Sequence, residues 1–187
     1  MTDQPKTIWG RAKRLGYHAW RKVNGSARQD RKGSGYRLTW ITQDLAVGYA
    51  PMFNDDLEAV RQRGITAIVN LCGEFCDLSE IQQDSGFDVC YLPIPDECAP
   101  DMAEIEAAIV WLDDALGQGK KVLVHCRFGV GRTGTFVTAY LVSKGMDLKT
   151  ASKMLRKSPA QPSNHAQWKM LRAFAKKQNA RKDRAPR

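Results

Sequence analysis

No two of the five cysteines (Cys72, Cys76, Cys90, Cys98, Cys126) stand in a CxxC pair, and their number is odd. Without any sign of secretion, they read as reduced thiols and not as a disulfide frame. No stretch approaches about 18 consecutive apolar residues, so a membrane-spanning helix is excluded. Residues 1–30 are basic and lack the apolar run of a signal peptide, so export through such a leader is not expected. There is no internal repeat and no long low-complexity tract. Even the net charge of +9 is missing from the body of the chain. Residues 1–37 hold ten Lys/Arg against two Asp/Glu, residues 169–187 eight against one, and residues 38–168 eleven against seventeen. A domain that binds nucleic acid over an evenly basic face is therefore excluded, and nucleic acid is not an expected partner. What is present is one domain's worth of chain: 187 residues, 43% hydrophobic and 26% charged, which argues against wholesale disorder.

The organisation falls into three zones. Residues 1–35 form a basic N-terminal extension in which Ile8, Ala12, Leu15, Ala19 and Val23, flanked by Trp9 and Trp20, trace an amphipathic helix. Such a helix either meets an anionic membrane surface or packs its apolar face on the core. Residues 36–178 form the main domain, and residues 179–187 a basic tail expected to fray. Within the domain, residues 36–42 and 45–49 read as short strands around a polar turn. Residues 65–71 (ITAIVNL), 89–94 and 121–125 (KVLVH) are dense apolar runs of the kind buried on both faces. Helices are expected at residues 55–63, 77–85, 102–116, 132–144, 148–157 and 163–177. The alternation predicts an α/β fold: a central, mostly parallel but mixed sheet of four or five strands flanked by helices, with a mainly helical C-terminal half.

The third buried strand runs into His125-Cys126-Arg127-Phe128-Gly129-Val130-Gly131-Arg132-Thr133-Gly134, and a helix follows. Ligands of open α/β sheets bind at the carboxyl ends of strands, and a helix N-terminus attracts anions. Gly129, Gly131 and Gly134 free the backbone so that successive N–H groups can turn around one anion. Those amides, the helix dipole and Arg132 all favour the thiolate of Cys126, making it a nucleophile aimed at whatever the loop holds. Arg132 offers a planar fork for two oxygens, and Thr133 is placed to hydrogen-bond the sulfur.

Cysteine, five residues, then Arg-Thr-Gly, preceded by histidine, resembles the signature of the cysteine-dependent protein tyrosine phosphatases, and the short chain is similar to their atypical dual-specificity branch. The likeness spans residues 38–174. It implies a protein tyrosine or dual-specificity phosphatase that works through a phosphocysteine intermediate and needs neither metal nor cofactor. Arg127, Phe128, Gly129, Val130, Gly131 and Arg132 would then bind phosphate and His125 would support the loop. Ile94-Pro95-Asp96 resembles the family's general-acid loop, which makes Asp96 the acid and Thr133 an aid to sulfur's departure. Asp101 competes for the acid role, yet with Glu104 three residues on it reads as a helix cap. Glu97 reads as solvated.

Cys72 ends the buried run before it, and if that strand neighbours the one ending at Cys126, the two thiols are a candidate redox pair. Ser163, Asn164 and Gln167 read as surface polar residues at a helix start, with Gln167 a weak candidate for positioning water. The expected partner is a phosphoprotein or phosphopeptide, met by a monomer in the cytoplasm, with a peripheral membrane contact through the basic segment as the further option. Phosphoinositides or other anionic lipid phosphates are the alternative substrate class, and 5′-triphosphorylated RNA a more remote one.

Overall fold

The structure is a computed structural model that describes residues 35–184, so the amphipathic helix read in residues 1–24 lies outside the described residues. Five strands, β1 (Leu38–Trp40), β2 (Leu45–Tyr49), β3 (Ile65–Cys72), β4 (Asp88–Ile94) and β5 (Lys121–Cys126), form one sheet in the order β1-β2-β5-β3-β4. Only β1 runs antiparallel, pairing with β2; β2, β5, β3 and β4 are mutually parallel. The mixed, mostly parallel α/β sheet expected from the sequence is the one found.

Strand alternation decides what lies on each side of this sheet. Leu45 and Val47 of β2, Val69 and Leu71 of β3, and Val122, Val124 and Cys126 of β5 share one core. Helix α3 (Met102–Gly117), α4 (Gly131–Ser143), α5 (Leu148–Leu155) and α6 (His165–Arg184) cover that face. The alternate residues Ala46, Ile68 and Leu123 pack with Leu57 and Val60 of helix α1 (Asn54–Gln62) on the other face. Helix α2 (Cys76–Asp84) follows β3, and its Leu78 packs with Cys72 and Ala50. Since β5 pairs between β2 and β3, its end lies in the middle of the sheet's carboxyl edge, where Cys126 is flanked by Tyr49.

Helix α4 is buried from residue 132 to residue 142, which is why its apolar residues, Phe136, Val137, Ala139, Leu141 and Val142, do not keep to a single hydrophobic stripe. Close approach demands Gly134: a Cβ there would lie 2.5 Å from the backbone N and C of Gln161. This contact seats the chain that enters α6 against the first turn of α4.

The strand expected at residues 36–42 is shorter, Leu38–Trp40, and the helix expected from residue 163 starts at His165; two further boundaries differ for a visible reason. The helix expected at residues 148–157 stops at Leu155, where Arg156 N–H and Ser158 N–H close single turns on Lys153 O and Leu155 O. The tail expected to fray after residue 178 stays helical to Arg184. Lys177 and Arg181, one turn apart on α6, both pair with Glu106 of α3 at 2.8 and 3.2 Å, and Lys182 Nζ donates to Gly145 O at 3.2 Å. These contacts lie on a charged helical face that apolar periodicity does not register.

Because the Cβ of alanine at position 134 would meet backbone and not a yielding side chain, Gly134→Ala is expected to cost about 1–3 kcal/mol. Thermal unfolding should record a drop of several degrees, whereas an unchanged melting temperature would contradict the contact.

Candidate active site

Cys126 closes β5 and is 3% exposed. The chain then crosses residues 127–130 and enters α4 at Gly131. Among the described residues, the backbone N–H groups of Arg127, Phe128, Gly129 and Val130 donate to no protein acceptor. Gly129 has φ +73°, and a Cβ on it would lie 2.5 Å from Gly48 O, so glycine is required where the loop folds back on β2. The result is a ring of free amide donors beside a sulfur and above a helix N-terminus, an arrangement suited to a tetrahedral oxyanion.

Arg132 is 2% exposed and stands in that first helical turn. Its Nη1 donates to Glu74 Oε2 at 2.6 Å and to Ile94 O at 2.9 Å, and its Nη2 donates to Glu74 Oε1 at 2.7 Å. Asp96 Oδ1 lies 2.8 Å from the same Nη2. Desolvation is the largest influence and opposes the charge on Arg132, but the Glu74 hydrogen bonds and the negative groups around it, Glu74 and Asp96 among them, together outweigh it and hold the guanidinium more firmly protonated than a free one. In return, those bonds keep the Glu74 carboxyl below its ordinary range. The two carboxylates differ in setting: a quarter of the Glu74 side chain is exposed, against about half (53%) for Asp96.

Behind the loop, His125 is fully buried. Its Nε2 lies 2.8 Å from Gln82 Nε2, and its Nδ1 lies 3.4 Å from Cys126 O. A carbonyl only accepts, so the proton sits on Nδ1 and Gln82 donates to Nε2. Gln82 Oε1 in turn accepts from Asn70 Nδ2 at 3.2 Å. Burial pushes the His125 pKa down to about 3, against the pull of its bond to Cys126 O, and the charge of Arg132 pushes the same way. His125 is therefore a neutral brace for the strand end.

The other candidates divide. Cys126, Arg132 and Asp96 come together. Thr133 Oγ1 is buried without a hydrogen-bond partner among the described residues, so the bond anticipated to the sulfur is not made in this geometry. Cys72 is fully buried, with its Sγ 3.9 Å from His125 Nδ1, and burial raises its thiol pKa far above the ordinary value. Asp101 is the N-cap of α3, accepting from Ala103 and Glu104 N–H at 2.8 and 3.3 Å, as its spacing suggested. Gln167, read as a surface residue, is instead fully buried. Phe128 is 62% exposed at the rim, with the Arg127 guanidinium 4.9 Å from its ring and 5.6 Å from that of Phe75. The sequence reading missed Glu74, Gln82 and Asn70. The visible signals were polar Asn70 inside an apolar run and an acid just past a buried strand end.

A family model described as "Polymorphic toxin system, DSP-PTPase phosphatase" matches residues 47–146. The chain belongs to this phosphatase family. It is 34% identical over 122 residues to the dual specificity protein phosphatase Mpk3 of Drosophila melanogaster, covering 62% of this chain and 29% of Mpk3. It is 26% identical to the phosphatidylglycerophosphate phosphatase PTPMT2 of Arabidopsis thaliana over 74% of this chain and 63% of that protein. The solved structure of Tk-PTP in its active form superposes with a TM-score of 0.66 at 29% identity, over 74% of this chain and 96% of Tk-PTP. The phosphatase thus spans less than two thirds of the length of both named relatives.

The neutral His125 gives this chain a pH signature. Below about pH 6.5 an unfolded histidine binds a proton that the folded one refuses until about pH 3. Stability should therefore fall with pH from about 6.5 downward, with a contribution approaching about 1.4 kcal/mol per pH unit. Denaturant titrations at pH 5–7.5 should find a shallower slope in His125→Asn than in the wild type; equal slopes would rule out the neutral histidine.

Proposed function

We propose that this phosphatase hydrolyses phosphomonoesters of proteins, phosphotyrosine or both phosphotyrosine and phosphoserine/threonine, through a phosphocysteine intermediate. The observation that carries the reading is Arg132, buried beside Cys126 and held by Glu74 with one side of its fork turned to Asp96. A phosphoryl group fits between the amides of residues 127–131 and that fork. It competes for Nη2 with half-exposed Asp96 and leaves the Glu74 pair intact.

The Cys126 thiolate attacks phosphorus in line; the S–P bond forms as the bond to the leaving oxygen breaks. Protonated Asp96 delivers its proton to that oxygen, and the alcohol or phenol departs. Asp96, now a carboxylate, takes a proton from water as the water attacks phosphorus. The S–P bond breaks, its electron pair returns to sulfur, and inorganic phosphate leaves. Arg132 and the loop amides meet the charge on the equatorial oxygens in both steps. The unpartnered Thr133 hydroxyl is a donor available to the departing sulfur. None of these steps calls for a metal.

A second reading, hydrolysis of an anionic phospholipid headgroup, is favoured by the likeness to PTPMT2 and by the exposed Phe128 with Arg127 at the rim. Acting in the cytoplasm, peripherally at a membrane through the basic N-terminal segment, is compatible with either substrate. Cys72 stays a candidate partner for Cys126 under oxidation, its sheet-edge position the support for that idea.

A panel of phosphotyrosine and phosphothreonine peptides, phosphatidylglycerophosphate and phosphoinositide vesicles separates the two readings by kcat/KM. Peptide turnover exceeding lipid turnover is the expected result, and the reverse order would hand the assignment to the lipid reading. Cys126→Ser should abolish turnover of every substrate; residual activity at the wild-type level would sink the covalent mechanism. Asp96→Ala should slow peptides by about 10²–10⁴-fold while sparing esters with good leaving groups. Glu74→Gln, which lets the Arg132 fork shift, should lower kcat/KM by about 10²-fold without touching the acid step; an unchanged value would mean that Arg132 is placed by other contacts.

A further inference from the structure

The loop that carries Asp96 is gripped from outside by a side chain that serves two elements at once. Residues 95–98 turn tightly, with Cys98 N–H donating to Pro95 O at 3.1 Å. Glu97, the third residue, has φ +58° and is the one non-glycine with positive φ among the described residues. A left-handed third residue is the type II pattern, a place usually given to glycine or asparagine. Glutamate there is strained, because its Cβ crowds the neighbouring carbonyl oxygen in the left-handed conformation. Unsupported, the turn would relax and carry the preceding residue, Asp96, away from its place beside Arg132.

The support comes from the start of α6. Asn164 Nδ2 donates to Glu97 O at 2.6 Å, while its Oδ1 accepts from Gln167 N–H at 3.0 Å and so caps the helix. Gln167 Nε2 donates to the next carbonyl, Cys98 O, at 3.2 Å, and its own Oε1 accepts from Ser163 N–H at 2.8 Å. Two successive carbonyls of the strained turn are thus held by two amides from one helix end. Position 164 asks for an acceptor on one side and a donor on the other, which a carboxamide supplies and a carboxylate does not. A helix cap alone would be served as well by aspartate or serine.

We infer that Asn164 is a positioning residue for the proton-transfer step: it clamps the Glu97 carbonyl and thereby fixes the turn that presents Asp96. The inference rests on the reading of Asp96 as the general acid. It touches neither the phosphoryl group nor the sulfur, so its removal should be felt only where the leaving oxygen needs a proton.

Asn164→Asp separates the two jobs, since it keeps the cap and sets a carboxylate against the Glu97 carbonyl. The test compares wild type, Asn164→Asp, Asp96→Asn and the double variant on phenyl phosphate and on an activated nitrophenyl phosphate, by kcat/KM across pH. For Asn164→Asp, phenyl phosphate should lose roughly 10- to 100-fold, part of what a general acid supplies, and the activated ester less than about threefold. The alkaline limb of the phenyl phosphate profile should flatten, and adding Asn164→Asp to Asp96→Asn should cost little more than Asp96→Asn alone. Equal losses on both esters, or additive losses in the double variant, would overturn the clamp and leave the Asp96 assignment standing. Asp96→Asn without any leaving-group dependence would overturn both together. If Asn164→Asp does not fold, Asn164→Ser, whose hydroxyl retains the cap but lacks the amide donor, takes its place with the same expected pattern.

Discussion

A guanidinium that is 2% exposed must be met by negative charge or left out of the fold. Glu74 meets it with two parallel hydrogen bonds, the planar geometry that arginine offers and lysine does not. Removing one partner of such a pair strands the other charge, typically at about 3–5 kcal/mol for a buried pair. Most of what the site does follows from this contact. It fixes which edge of the fork stays available, and it joins the chain after β3 to the first turn of α4. It also keeps a permanent positive charge within reach of Cys126 at the β5 end.

The sheet makes that contact achievable. Parallel strands bring their carboxyl ends to one edge, so Glu74 after β3, Asp96 after β4 and Cys126 at the end of β5 converge although they are separated by 22 and 30 residues in the chain. Alternation along β5 then sends neighbours to opposite faces. Cys126 joins the face that carries α4, whereas His125 turns toward Gln82 of α2. The histidine has to be neutral there, because burial opposes its charge, Arg132 lies near enough to disfavour a second cation, and among the described residues no acidic group is hydrogen-bonded to it. The position of Cys126 is thereby secured by a polar chain, Asn70 to Gln82 to His125, that contributes no charge of its own.

How much of this was legible in the sequence depended on whether the cause was local. Every strand and helix of residues 38–177 was visible in outline, since ITAIVNL and KVLVH announce burial and the stretches between the apolar runs read as helices. Cys126, Arg132 and Asp96 were legible because their roles fix residue types at set spacings. Asp101 was legible as a cap for the same reason. Glu74 was not: its function depends on a partner 58 residues away, and one acidic residue in a loop looks like any solvated one. Gln167 was misread as surface for a related cause, because only the docking of α6 on α4 closes it in. The extension of α6 beyond residue 178 escaped notice because it depends on Glu106 of another helix.

These tertiary contacts share a consequence for the loop that carries Asp96. The loop runs from β4 to the cap of α3 at Asp101, and it is touched from the side by Asn164 and Gln167 at the start of α6. Helices α3 and α6 are themselves joined further along by Glu106 with Lys177 and Arg181. Exposed ion pairs of this kind contribute at most about 1 kcal/mol each, far too little to define the fold. They nonetheless act on the relative placement of two rigid rods, and the loop's sideways support depends on that placement. A turn with a left-handed glutamate stores strain that has to be over-determined by its surroundings. Here the surroundings are one helix cap, one buried glutamine and a pair of helices held in register, so the loop that carries Asp96 is the part of the molecule where small losses of packing accuracy translate most directly into the placement of Asp96 beside Arg132.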